Sequence, residues 1–202
     1  HRSPLLLFLQ RELRVSVLIF DYRGYGRSEG RPTVAGILRD GRAARTALAE
    51  KAGITEAAIV LMGRSLGGAV AVQLASEQSP RGLILESTFS SFRNVATHHY
   101  PKLAWLVPRD KLDSLSLMQD YNGPLLISHG DADRTIPYEQ GQALYKAAQG
   151  PKQFVTIPLG DHNSPGTTEY NFRGTGAQGA LGDMAVGFYI DDVPYYTPDN
   201  PY

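Results

Sequence analysis

The sequence predicts an α/β domain, a parallel β-sheet with helices on both faces, and three observations lead there. First, apolar runs of strand length recur at VSVLIF (15–20), AAIVLM (57–62), GLILE (82–86), PLLISH (124–129) and FVTIP (154–158). Second, these runs are continuous rather than alternating, so each strand expects cover on both sides. Third, stretches of helical length and spacing lie between them. With 202 residues and 42% hydrophobic content the chain has the size of one domain with a substantial core.

Each element has its own signal. Ser3 and Pro4 resemble an N-cap and a first-turn proline, opening a short helix to about Arg14. VSVLIF forms a strand and runs into the glycine-rich loop DYRGYGRSEGRP. From Thr33 to Lys51, Ile37, Leu38, Ala44 and Leu48 recur near helical spacing, and Gly53 is a natural stop. AAIVLM is the next strand, followed by a helix from Ser65 to Glu77. GLILE and PLLISH are strands, Pro137 to Gln149 is a helix, and FVTIP closes the regular pattern.

Two segments break the rhythm. Residues 88–120 hold Trp105, two prolines and the His98–His99 pair, with no clear strand. An insertion after the carboxyl end of a strand overlies the crevice where such sheets bind ligands, so this one is read as cap-like. Residues 164–202 are rich in Gly, Tyr and Pro, with a single strand at AVGFYI (185–190) and no amphipathic helix.

Twenty basic and twenty acidic residues leave no net charge, which argues against nucleic acid or an anionic membrane as an electrostatic partner. There is no cysteine, so disulfides, thiolate catalysis and zinc–cysteine sites are excluded, while the compartment stays open between cytoplasmic and membrane-associated. No apolar run approaches the roughly 18 residues of a transmembrane helix. LLLFL (5–9) is short and bracketed by Pro4 and Gln10. The chain opens on His1 rather than Met and reads as an excerpt, so membrane association is expected only through an upstream segment.

The chemistry-bearing motif is G-x-S-x-G, a sharp strand-to-helix turn that lifts a serine hydroxyl clear of a sheet. It occurs twice, at Gly26–Gly30 around Ser28 and at Gly63–Gly67 around Ser65. Ser65 directly follows a strand and directly opens a helix, whose N-terminus brings unpaired N–H groups and a positive dipole end. Ser28 sits in a loop with Pro32 behind it and no helix beginning there. Ser65 is therefore the candidate nucleophile, and Ser28 is read as structural.

A serine hydroxyl needs a base, and the base needs a third group to orient it. His162 lies just past the last regular strand, in GDHNS, and comes last in the chain order of Ser, acid and His. His129 closes a strand and is expected to pack beneath the loop. His98 and His99 fall in the cap-like segment, and His1 at the terminus. The acid belongs past the carboxyl end of PLLISH, where Asp131 and Asp133 both stand. Asp131 follows the turn glycine and is expected to be consumed by turn hydrogen bonds, which favours Asp133. Asp161 reads as a turn residue. One oxyanion donor is the backbone N–H of Leu66. The second normally comes from a loop after an early strand, and no such loop precedes VSVLIF.

FDYRGYGRSEG, LMGRSLGGAVAVQLA, LILESTF, HGDADRTIP and IPLGDH resemble, in order and spacing, the α/β-hydrolase-domain family that groups serine aminopeptidase-like and acyl-protein thioesterase-like hydrolases. The resemblance covers about residues 1–163. It implies an α/β-hydrolase fold and a Ser65–Asp133–His162 triad. It also implies cleavage of an ester, thioester or amide in a small-molecule or acyl-protein substrate, with neither metal nor organic cofactor. Some members are membrane-anchored through an upstream segment. The family pattern carries further strands before residue 1. They include the His-Gly loop that completes the oxyanion hole, and one of the strands sits between VSVLIF and AAIVLM. The sheet is thus expected to be incomplete on its N-terminal side, with a gap or a new pairing, and the alternative function is an inactive, truncated binding or scaffold domain. From about Tyr170 the chain resembles a fragment of the plug domain of TonB-dependent receptors, through FRGTGAQGALGDMAVGFYIDDVPYY. The tail 164–202 is accordingly expected to be foreign to a hydrolase core.

Overall fold

A strand covered on both faces gains from burial whichever way its side chains point, so unbroken apolar runs settle at the centre of a sheet. In the computed structural model, which describes residues 15–108 and 112–163 and the backbone of 186–190, this is what they do. The runs become β1 (Val17–Ile19), β2 (Val60–Arg64), β3 (Gly82–Glu86), β4 (Leu125–Gly130) and β5 (Lys152–Ile157). A sixth strand, β6 (Val186–Ile190), comes from the tail. The sheet order is β1-β6-β2-β3-β4-β5, with every neighbouring pair parallel. All residues of β2, β3 and β4 are buried.

The helices follow their local signals. α1 (Val34–Ala52) starts where the Thr33 side chain accepts the Gly36 N–H at 3.0 Å and stops at Gly53, left-handed at φ 67°. α2 (Leu66–Glu77) is apolar nearly all round and buried accordingly. α3 (Phe92–His99), α4 (Ser114–Met118) and α5 (Tyr138–Ala147) complete the set. The main core joins Leu61, Leu83, Leu85 and Ile127 of the sheet to Ile37 and Leu48 of α1, Val70 and Leu74 of α2, Met118 of α4 and Leu144 of α5.

Three expectations change in detail. The strand expected at 57–62 begins later, because Glu56–Ala58 close a 3₁₀ turn; helix-tolerant Glu-Ala-Ala tightens there before the chain extends at Val60. Only Val17–Ile19 of VSVLIF pairs. The segment 88–120 contains α3, a 3₁₀ turn at Ala104–Leu106 and α4. Ser91 and Asp113 cap α3 and α4 by accepting the N–H groups of Asn94 and Ser116.

Of the two outcomes expected between β1 and β2, a gap or a new pairing, the structure has the second. β6 sets Val186 opposite both Val17 and Val60, and Ile190 opposite Gly63, with one register slip on each side. Two facing ladder edges inside a sheet would leave buried N–H and C=O groups without partners, and an extended apolar run satisfies both at once. The helix expected between Ser3 and Arg14 lies outside the described residues, as does the tail apart from this strand.

Candidate active site

The turn at Ser65 is built by backbone crowding. A Cβ on Gly63 would stand 2.3 Å from the Gly67 carbonyl oxygen, and one on Gly68 would stand 2.4 Å from Thr88 Oγ1, so neither position admits a side chain. Ser65 itself carries φ 48°, a left-handed value that non-glycine residues rarely hold. Neighbours hold it there. Its N–H donates to the Glu86 carbonyl at 2.9 Å, and its carbonyl accepts from Thr88 Oγ1 at 2.6 Å. Leu66 is the first residue of α2, so its N–H has no partner within the helix and lies at the positive end of the helix dipole.

The acid and histidine loops leave β4 and β5 at the same rim and lean on each other. A Cβ on Gly130 would lie 2.1 Å from the Gly160 carbonyl oxygen, and that oxygen accepts the Ala132 N–H at 3.0 Å. Asp131 spends its carboxylate on this seam, accepting the Leu159 N–H at 2.6 Å across to the other loop rather than within its own turn. Asp161 accepts the Asn163 N–H at 2.9 Å, as a turn residue does.

Asp133 is thereby left to face inward. Its Oδ1 accepts the N–H groups of Thr135 and Ile136 at 2.9 and 2.8 Å, and its Oδ2 lies 2.8 Å from His162 Nδ1. Burial alone would raise its pKa. Hydrogen bonds from His129, His162 and the Ile136 N–H outweigh that and hold the carboxyl well below the usual carboxylate range. With Nδ1–H donating to Asp133, His162 Nε2 is an acceptor, and it lies 3.2 Å from Ser65 Oγ. Ser65, His162 and Asp133 come from three separate loops and are all largely buried. Such a chain of contacts can take the proton from an attacking alcohol and stabilise the imidazolium that forms.

Sequence reasoning missed one side chain here, Arg64, and the contact that a second, His129, makes with the acid. The Arg64 guanidinium, buried beneath the turn, donates to the His162 carbonyl and to Asn163 Oδ1 at 3.5 Å, tying the histidine loop to the strand that carries the serine. A long cation inside an otherwise small and apolar turn sequence was the available signal. His129, expected beneath the loop, is fully buried there. Its Nε2–H donates to the Ile136 carbonyl at 2.9 Å and leans towards Asp133 Oδ2 at 3.4 Å, while Nδ1 has no hydrogen-bond partner among the described residues. His99 of the cap-like segment meets the Thr135 carbonyl at 2.8 Å. Ser28 is far from this chemistry in kind, its hydroxyl donating to the Asp21 carbonyl at 2.7 Å in an exposed loop. His1 lies outside the described residues. So do residues 191–202.

The family model for serine aminopeptidase, S33, matches residues 11–113, half of the chain. The chain belongs to the serine aminopeptidase family. The matched span includes the Ser65 turn and ends ahead of Asp133 and His162. Beyond the family model, an uncharacterised protein of Mycobacterium tuberculosis is 40% identical over 157 residues, covering 76% of this chain and 55% of that protein. The alpha/beta hydrolase domain-containing protein WAV2 of Arabidopsis thaliana is 33% identical over 181 residues, covering 80% of this chain and 59% of that one. An alpha-beta serine hydrolase homologue from Coxiella burnetii superposes with a TM-score of 0.53 at 25% identity, over 70% of this chain and 58% of the other. The chain thus spans between half and two thirds of these relatives' length. Its fold is an α/β-hydrolase fold, and its family is one of hydrolases.

Proposed function

We propose that this member of the serine aminopeptidase family is a serine hydrolase that cleaves an ester, thioester or amide through an acyl-enzyme intermediate. The observation that carries the reading is the unbroken line of contacts from Ser65 Oγ to His162 Nε2 at 3.2 Å and from His162 Nδ1 to Asp133 Oδ2 at 2.8 Å. Ser65 Oγ attacks the acyl carbon while His162 Nε2 takes its proton. The bond to the leaving group breaks, and that group departs with the same proton. A water then gives a proton to His162 and attacks the acyl carbon, freeing the acid and returning the proton to Ser65. The Leu66 N–H is one donor to the oxyanion. The substrate is a small molecule or an acyl-protein, with residues 88–120 as the cap over it. Residues 1–163 form the hydrolase core, and the plug-like tail 164–202 is a segment of different origin that lends the sheet β6.

Labelling with a fluorophosphonate tests the reading. The full chain is expected to take the label, and Ser65→Ala to lose it entirely. Label that persists in Ser65→Ala, or that disappears in Ser28→Ala, overturns the assignment. Failure to turn over any p-nitrophenyl ester would instead point to a binding or scaffold role.

A further inference from the structure

Among the described residues five large hydrophobic side chains are markedly exposed, and four of them fall within the arch Tyr100–Leu106: Tyr100 (67% exposed), Leu103 (56%), Trp105 (71%) and Leu106 (59%). Their grouping follows from the backbone. The Leu103 N–H donates to the Tyr100 carbonyl and the Leu106 N–H to the Leu103 carbonyl, so two successive turns keep the four exposed side chains within one short arch. The arch is also held rigidly. Arg93 of α3 donates Nε to the Val107 carbonyl at 2.9 Å and its terminal nitrogen to the Trp105 carbonyl at 3.0 Å. Ala104 is buried as the inward anchor, and His99 joins the arch's base to the acid loop. Exposing four such side chains on a braced scaffold is unfavourable unless something covers them.

We propose that the Tyr100–Leu106 arch is a membrane-docking surface that inserts shallowly into an anionic lipid bilayer. Its composition is interfacial: Trp and Tyr combine an apolar ring with a polar edge, and Lys102 stands exposed among them. Charge agrees. From Ser87 to Pro108 the sequence contains no Asp or Glu, while Arg93 and Lys102 are cationic. The chain as a whole is neutral and has no long-range pull towards a membrane. Attachment therefore rests on apolar insertion, with the local cations adding to it at short range. A second copy of the chain fits less well, because a standard protein interface takes about 800 Å² from each partner and the arch offers four side chains. This contact needs no upstream anchor. Docking here would also bring the bilayer to the rim where the loops of Asp133 and His162 open.

The chain contains one tryptophan, so Trp105 is its own reporter. The full chain carrying Ser65→Ala is mixed with vesicles of phosphatidylcholine and phosphatidylglycerol in a two-to-one ratio, or of phosphatidylcholine alone. Binding is read without turnover, so the result stands apart from the hydrolase assignment. Co-sedimentation with the anionic vesicles, a blue-shifted Trp105 emission and quenching by bromine-labelled acyl chains are expected. Leu103→Glu/Leu106→Glu, two exposed positions that leave the reporter in place, should weaken binding by at least about tenfold. The proposal is overturned by any of three results: no co-sedimentation, co-sedimentation with unchanged Trp105 emission, or undiminished binding of the double variant. A blue shift that grows with protein concentration in the absence of vesicles would assign the arch to self-association and overturn it as well.

Discussion

The two G-x-S-x-G stretches share a pattern and distribute its strain in opposite ways. At Gly26–Gly30 the glycines do the bending, with φ 52° at Gly26 and 96° at Gly30, and Ser28 rests in an exposed loop with its hydroxyl on a carbonyl. That loop is pinned from outside, as Arg23 grips Asp40 through Nε at 3.0 Å and its terminal nitrogen at 2.6 Å. At Gly63–Gly67 the serine does the bending, at φ 48°. The glycines there serve close approach instead, since a Cβ on Gly63 would strike the Gly67 backbone. The contrast separates turn-forming glycine from glycine that makes room. It also shows where local strain is held against a site, with Thr88 and Glu86 clamping the strained residue on both sides.

The contrast can be broken most sharply through the partners that only Ser65 possesses. Asp133→Asn is expected to lower kcat by roughly 10⁴, because the wrong tautomer of His162 then faces the serine, measured with a chromogenic ester. The same variant tests a linkage. In the folded chain Asp133 has a pKa below the ordinary carboxylate value of about 3.9. Its contribution to stability is therefore complete above that value and is lost as pH falls through it towards the folded pKa. Urea unfolding from neutral to acid pH should show a shallower acid limb in Asp133→Asn than in the parent. An unchanged limb would mean that this carboxylate carries no such linkage.

Next in size is the room-making role. Gly68→Ala should destabilise the fold by about 1–3 kcal/mol, because the added methyl meets Thr88 Oγ1 and Cβ at once. Thermal melting checks it. The smallest effect is the most direct reading of strain. At position 65 glycine should be more stable than alanine by about 1 kcal/mol, because it relieves the left-handed backbone. At position 28, where the backbone is not left-handed, the order should reverse by a similar small margin. Urea denaturation of the four variants would expose an error in this assignment of strain if both sites favoured the same residue.

What the sequence made legible was local. Thr33 and Gly53 bracket α1 because a side-chain oxygen and a left-handed glycine act within a turn of the helix end. Asp131 and Asp133 both stand just past a strand end, and what separates them is long-range: Asp131 accepts from Leu159 on the other loop, while Asp133 meets His162. Longer connections were hidden. Arg64 reaches a carbonyl 98 residues away, and its small, apolar neighbours mark the cation as unusual without naming its partner. Ser91 and Asp113 cap helices of eight and five residues, too short for an apolar periodicity to mark them in the sequence. The strand at 186–190 was visible as a run of residues, yet its seat between β1 and β2 depends on which ladder edges are unpaired, a property of the assembled sheet.

That seat imposes an order of events on the newborn chain. β6 follows every other described strand in the sequence, yet it lies between the first two of them. Among the described strands β2 to β5 can pair with one another before β6 is made, while β1 gains its described neighbour only with β6. Closing the sheet then means joining positions about 170 residues apart along the chain, a long loop to bring together and a slow step by its topology. Until then the flank of β2 that awaits β6 offers an unsatisfied edge to any extended peptide nearby.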